Sequence, residues 1–217
     1  MKSRLNFKKS QIRSFFLALE KNDRTEREIE NDLLTTGLEY IQMKLPVSNI
    51  TLEVEEKLKK KVEHNILQAK IREAKLEDLD SIMYLYNRSW LVSSTPFRPI
   101  KKETLKIIYE YPETKILIAK AYGSDAAFVI LDYEGPNNEY GIIVGLGVIP
   151  RFQRKGLGTV IGMATWNHFK KKGVKELRCE VFKDNKVSYN FIKSIGFVEF
   201  ARKTYKSEDF YTDSKND

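Results

Sequence analysis

The chain has 217 residues, enough for one sizeable α/β domain with its own core plus an appendage, and a tight fit for two full domains. With 41% hydrophobic and 31% charged residues and a mean hydropathy of -0.45, it has the composition of a soluble globular protein, which excludes the disordered and membrane classes. A formal charge of +8 and a pI near 9.3 suit an anionic partner, and nucleic acid, an acidic protein or a phosphorylated cofactor would each satisfy them.

From the amino end, the longest early apolar run, Phe15 to Leu19, is far below the roughly 20 residues that span a bilayer, and no small-residue cleavage site follows it. The expected compartment is the cytoplasm, with no membrane partner. Up to Gln68 the pattern is helical. Ile12, Phe15, Phe16 and Leu19 fall on one face; Ile29, Leu33, Gly37 and Ile41 make a second stripe; Val54, Leu58, Val62 and Ile66 make a third. Thr25 followed by Glu28 reads as a capping box, and Pro46 with Ser48 to Thr51 marks the turn into the third helix.

After Lys70 the pattern changes. "IREA" reads as a short strand, and Leu79, Ile82, Met83 and Tyr86 trace one face of an amphipathic helix. Ser89 to Pro99 reads as a loop, in which Trp90, Phe97 and Arg98 either shape a site or cover the core, and Lys102 to Tyr109 reads as a helix. "KILIAKAY", "AAFVILDY" and "EYGIIVGLGV" form an antiparallel meander divided by turn signals. A helix from about Leu157 ends in Lys170, Lys171 and Lys172 before Gly173. "ELRCEVF" is a strand, Asn185 leads a second short helix closed by Gly196, and this order implies a parallel strand pair with a crossover. "FVEFARKTY" and "EDFYTD" would close the sheet. The expected fold class is α+β: a mixed, mostly antiparallel central sheet flanked by helices. An all-helical extension over 1–68 precedes the main domain at 69–213, and a polar tail occupies 214–217.

Cys179, the one cysteine, excludes an internal disulfide, and the isolated His64 and His168 lack metal-ligand spacing, so no metal is expected. The chemistry concentrates in "RFQRKGLGTV", Arg151 to Val160, between a strand and a helix. A helix start leaves backbone N–H groups unpaired at the positive end of the dipole, and phosphate is stabilised there when glycines such as Gly156 and Gly158 let it approach. Arg151, Arg154 and Lys155 add positive charge. An ordinary loop entering a helix has the same appearance. The segment is neither a Walker loop nor a dinucleotide fingerprint, because no Lys-Ser or Lys-Thr pair follows the second glycine and Ile161 stands where a third glycine belongs.

Two motifs together are more specific. Q-x-x-G-x-G at Gln153 to Gly158 is followed by "EVFKDNKVSYNFIKSIGF", with Asn185, Ser188, Phe191, Gly196 and Phe197 at set intervals. This pair resembles the GNAT superfamily of acyl-CoA-dependent N-acyltransferases over roughly Ile71 to Tyr205. The resemblance implies acetyl-CoA as co-substrate. It gives backbone contacts with the pantetheine arm to Leu146, Gly147 and Val148, and the diphosphate to Gln153, Arg154, Lys155, Gly156, Leu157, Gly158 and Thr159. Asn185 would touch the cofactor arm. In that family the fourth and fifth strands splay to admit the arm.

Acyl transfer needs a neutral amine, and ammonium pKa values of about 10.4 for a lysine side chain and about 8 for an α-amino group make a base useful. Glu180 matches the glutamate used as base in the ribosomal-protein alanine acetyltransferase branch of the family; pairing with Arg178 or Lys183 on a strand face is the alternative. Many GNAT enzymes carry a tyrosine as general acid where this chain has Ile192. Tyr189, one turn earlier, is the catalytic candidate to replace it, against a packing role. The expected function is acetyl transfer from acetyl-CoA to a primary amine of a protein N-terminus, a lysine or a small molecule, by direct transfer in a ternary complex. The alternative is a non-catalytic acyl-CoA-binding module whose N-terminal helices recruit a partner or form a homo-oligomer. No aromatic-basic reading motif or helix-turn-helix supports nucleic acid as the partner.

Overall fold

The computed structural model describes residues 37–64, 67–90 and 100–206. The two earliest helical stripes up to Leu33, the Thr25 capping box, Phe97, Arg98, "EDFYTD" and the tail lie outside the described residues. Two compact units divide what is described: one over 44–64, 67–90 and 100–179, the other over 37–43 and 180–206.

The larger unit is built on a sheet in the order β2-β3-β4-β5-β6: β2 (Lys70–Glu73), β3 (Lys115–Ala121), β4 (Ser124–Glu134), β5 (Tyr140–Val148) and β6 (Glu176–Phe182), of which Glu176 to Cys179 belong here. The first three pairings are antiparallel and β5 with β6 is parallel. The meander and crossover read from the sequence are therefore present. Phe128, Val129, Ile130 and Leu131 of β4 are all fully buried, as a strand covered on both faces requires.

One inserted residue organises β5. Ile130 pairs with Gly145 and Leu131 with Ile143, so Val144 is an extra residue that reverses the facing of the side chains after it. Before this bulge, Gly141 looks onto the ring of Phe169; after it, Gly147 looks onto Phe128 and Ser89. Helix α2 (Leu79–Trp90) packs on β4 and β5, and helix α4 (Leu157–Lys171) packs on β3, β4 and β5. Ser89 belongs to α2 and Phe169 to α4, so the two helices cover opposite faces. α2 buries Leu79, Ile82, Leu85 and Tyr86, close to the expected stripe. It also runs through Ser89 and Trp90, which the sequence places in a loop; the two prolines behind that expectation stand at Pro96 and Pro99, too far on to end the helix sooner. Helix α3 (Lys102–Tyr109) has the expected bounds. No helix among the described residues is long and apolar enough to cross a membrane.

Helix α1 (Leu52–Glu63) begins at Thr51, whose hydroxyl accepts a hydrogen bond from Val54 N. Its inner face is not the expected apolar stripe. Val54 is 39% exposed, and the buried residue is Glu55, whose carboxylate is held by Lys170 of α4 at 2.8 Å and Lys59 at 3.0 Å. Those ammonium groups hold its carboxyl down at about 2.

The smaller unit corrects the all-helical reading of the first 68 residues. Leu38–Pro46 is a strand, β1, with Leu38 to Met43 in this unit, so the stripe through Gly37 and Ile41 is not a helix there. Gly37 takes a left-handed φ of 73° just before it, and Leu38, Tyr40, Ile41 and Met43 are buried, leaving no helical period. The strand order here is β6-β1-β7, with β7 at Val198–Tyr205. Helix α5 (Lys186–Ser194) follows β6 and is closed by Gly196 at φ 102°, as the glycine signal predicts. Leu38, Tyr40, Phe182 and Tyr205 form the core of this unit.

Candidate functional site

In the larger unit the chain leaves β5 at Val148, makes a 3-10 turn over Pro150–Phe152 and enters α4 at Leu157. Arg154 and Gly156 both adopt the left-handed region, at φ 58° and 80°. Alternating handedness turns successive amides toward one side and makes a concave anion site. The first bond of the helical ladder runs from Val160 N to Gly156 O at 3.1 Å, so the amides of Leu157, Gly158 and Thr159 stand ahead of it, and the cap residue Gly156 offers no side chain to them. No acidic residue lies in this first turn. Arg151, Gln153, Arg154, Lys155 and Gly156 are exposed, while Phe152 and Leu157 are buried and anchor the loop at either end.

Gln153 has a role that spacing does not reveal. Its Nε2 donates to the Val148 carbonyl at 2.8 Å. Ile149 N donates to Ala126 O of β4, and a peptide's C=O and N–H point in opposite directions, so the Val148 carbonyl faces away from β4, toward the side on which β6 pairs. The parallel ladder joins Tyr140–Ile143 to Glu176–Cys179, and β5 runs on past it to Val148, carrying Leu146 and Gly147. Ser89 Oγ lies against Gly147 and, although Ser89 is only 6% exposed, has no hydrogen-bond partner among the described residues. A Cβ on residue 147 would come within 2.8 Å of that hydroxyl, so glycine is what admits it. On the same strand, Tyr140 is covered by the Arg178 guanidinium at 3.6 Å, and Glu139 accepts from Asn137 N at 2.9 Å to close the preceding turn.

The smaller unit carries Glu180, Asn185 and Tyr189, each with different partners. Asn185 caps α5, its Oδ1 accepting from Ser188 N at 3.0 Å. Tyr189 donates from its hydroxyl to Glu199 Oε1 at 2.6 Å. Ile192 is half-buried on the same helix. Arg178 bonds Glu176 at 2.6 Å in the larger unit, and Lys183 reaches Glu39 at 3.3 Å in the smaller. Glu180 is bound by two residues that the sequence does not single out as its partners: Gln42 Nε2 donates to Oε1 at 2.9 Å, and the Tyr205 hydroxyl lies 3.0 Å from Oε1 and 2.8 Å from Oε2. Only a strand pairing brings residue 42 beside residue 180, and the helical reading of that segment hid it.

The acetyltransferase (GNAT) family model matches residues 79–197, more than half of the chain, and the chain belongs to that family. Solved structures share the fold. The ribosomal-protein-S18-alanine N-acetyltransferase from Escherichia coli is 22% identical, with 61% of this chain and 79% of that one covered and a TM-score of 0.53. Ard1 from Thermoplasma volcanium is 24% identical over 61% and 84% of the two chains, also at 0.53. AAC(6')-Iy in complex with the bisubstrate analogue CoA-S-monomethyl-acetylneamine is 18% identical over 63% and 95%, again at 0.53. No curated protein matches the sequence.

Proposed function

We propose that the protein transfers an acetyl group from acetyl-CoA to a primary amine, by direct attack in a ternary complex. The observation that carries the reading is the entry to α4: a basic, acid-free loop with two left-handed residues and helix amides ahead of the ladder, in a chain of the GNAT family. The amides of Arg154 to Thr159 would hold the diphosphate, and the β5 backbone at Leu146 to Val148 would receive the pantetheine arm. Gln153 serves this site by tying the loop to β5. Asn185 holds the start of α5 and is a candidate contact for the cofactor arm.

Transfer forms a bond between the amine nitrogen and the acyl carbon, breaks the C–S bond and moves a proton from the amine to the departing thiolate. Glu180 is the proposed acceptor of the amine proton. A thiol with a pKa of about 8.5 leaves tolerably without a dedicated acid, so Ile192 is compatible with turnover. Tyr189 would give up its bond to Glu199 to act as that acid. The acceptor belongs to the class of primary amines, on a protein N-terminus, a lysine or a small molecule. Acetyl-CoA binding by calorimetry, with CoA release across a panel of peptides and small amines, tests the reading; no binding and no release refute it. Glu180→Gln should lower kcat or raise the pH optimum. The isoleucine at 192 favours one second reading, an acyl-CoA-binding module without turnover, which predicts tight binding and no CoA release with any acceptor.

A further inference from the structure

We propose that Tyr205 is a positioning residue for the Glu180 carboxylate, with Gln42 as its second hold; the inference rests on Glu180 being the base of the reaction proposed above. A glutamate carboxyl turns in a broad, soft well about its last torsion, so a strand glutamate has no fixed direction of its own. Here β1, beside its strand, and β7, one strand further on, grip it. The Tyr205 hydroxyl has one proton to give, and its nearer acceptor is Oε2 at 2.8 Å, while Gln42 donates to Oε1 at 2.9 Å. Each oxygen thus receives a donor, and rotation of the carboxyl breaks both bonds together.

The grip is itself fixed. Tyr205 is buried, and its ring meets Tyr40 edge-on at 5.7 Å and 78°. Tyr40, fully buried, meets Phe182 at 5.6 Å, and Phe182 closes the strand that carries Glu180. The phenol therefore cannot swing away without opening the core of the unit. Sequence spacing gives no hint of this, because residues 42, 180 and 205 come from three separate strands.

The test is steady-state kinetics with acetyl-CoA and the best acceptor from the panel. Tyr205→Phe keeps the ring and removes the hydroxyl. The expected result is a kcat lower by about 10-fold, of the order that positioned acid–base groups contribute, with KM for acetyl-CoA within about twofold of the parent. Gln42→Met, a shape-conserving change at a half-buried position, should shift kcat in the same direction and serves if Tyr205→Phe unfolds. The discriminating readout is the double variant: adding Tyr205→Phe to Glu180→Gln should cost nothing further in kcat, because the hydroxyl acts only through that carboxylate. Parental kcat in both Tyr205→Phe and Gln42→Met, or a further loss in the double variant, overturns the inference while leaving acetyl transfer intact. Parental kcat in Glu180→Gln overturns Glu180 as base and the positioning role with it. Absence of both binding and transfer in the parent removes the reaction itself.

Discussion

Gly141→Ala is the sharpest test of how the sheet seats the helix that carries the loop. A Cβ built at Gly141 falls 2.6 Å from Phe169 Cδ1, 2.7 Å from Cε1 and 2.8 Å from Cγ. Carbon atoms are at ease about 3.5 to 4.0 Å apart, so the ring or the strand must retreat by about 1 Å. Phe169 has little room to do so. It is fully buried, edge-on to Tyr133 at 5.5 Å and 88°, and edge-on to His168 at 5.8 Å and 71°. Overpacking of this kind costs about 1–3 kcal/mol. For a chain of this size each kcal/mol lowers Tm by about 2–4 °C, so a fall of about 5 °C is expected in a thermal melt followed by circular dichroism. Phe169→Leu in the same background removes the obstructing ring atoms, and the double variant should lose less than the two single losses added together. A Tm for Gly141→Ala within about 1 °C of the parent would refute the close-packing argument.

Gly156→Ala forces a side chain into the left-handed region at φ 80°, at a cost of about 1 kcal/mol, and should weaken acetyl-CoA binding several-fold in calorimetry while leaving the far-ultraviolet spectrum unchanged. The Nε2 of His168 lies 2.7 Å from the Tyr133 hydroxyl; burial lowers the pKa of His168 and pushes the Tyr133 phenol up to about 12. Between the folded and unfolded histidine values the unfolded chain binds more protons, so stability should fall as pH drops below about 6.5 and level off beneath the folded value. His168→Gln should flatten that segment of a denaturation-midpoint profile. Glu55 works in the acid range. With its carboxyl held at about 2 against an ordinary 4.5, its stabilisation is complete above about pH 4.5 and is lost as pH falls toward 2. Glu55→Gln should remove about 1 kcal/mol at neutral pH in urea titrations, because both lysine partners are half exposed and solvent screens them.

Periodicity and turn chemistry made most of the larger unit legible. The meander, α3, the lysine-rich end of α4 and the parallel crossover all follow from local signals that the tertiary structure does not override. The entry into α4 was legible for the same reason: its glycines and its position after a strand are local properties. What escaped was set by distant partners. β1 reads as a helix because Ile41 continues the four-residue spacing of Ile29, Leu33 and Gly37, whereas its state is decided by strands more than a hundred residues away. Glu55 was invisible as an inner-face residue because Lys170, across the α1 and α4 contact, joins Lys59 in making its burial tolerable. The hold on Glu180 needed that same misread strand.

The place of β1 bears on how the chain comes off the ribosome. In the smaller unit it lies between β6 and β7, and Lys183 N donates to Glu39 O across 144 residues of sequence. The first of the described strands to be translated must therefore wait for two of the last. At ordinary elongation rates that interval is on the order of 10 s, far longer than collapse or hairpin formation requires. Throughout it, the apolar Leu38, Tyr40 and Met43 have no native strand partners within their unit. Nascent chains halted before Tyr205 should accordingly show protease sensitivity in this strand while the meander of the larger unit is already protected, which makes β1, and not the loop before α4, the described segment in greatest need of a chaperone.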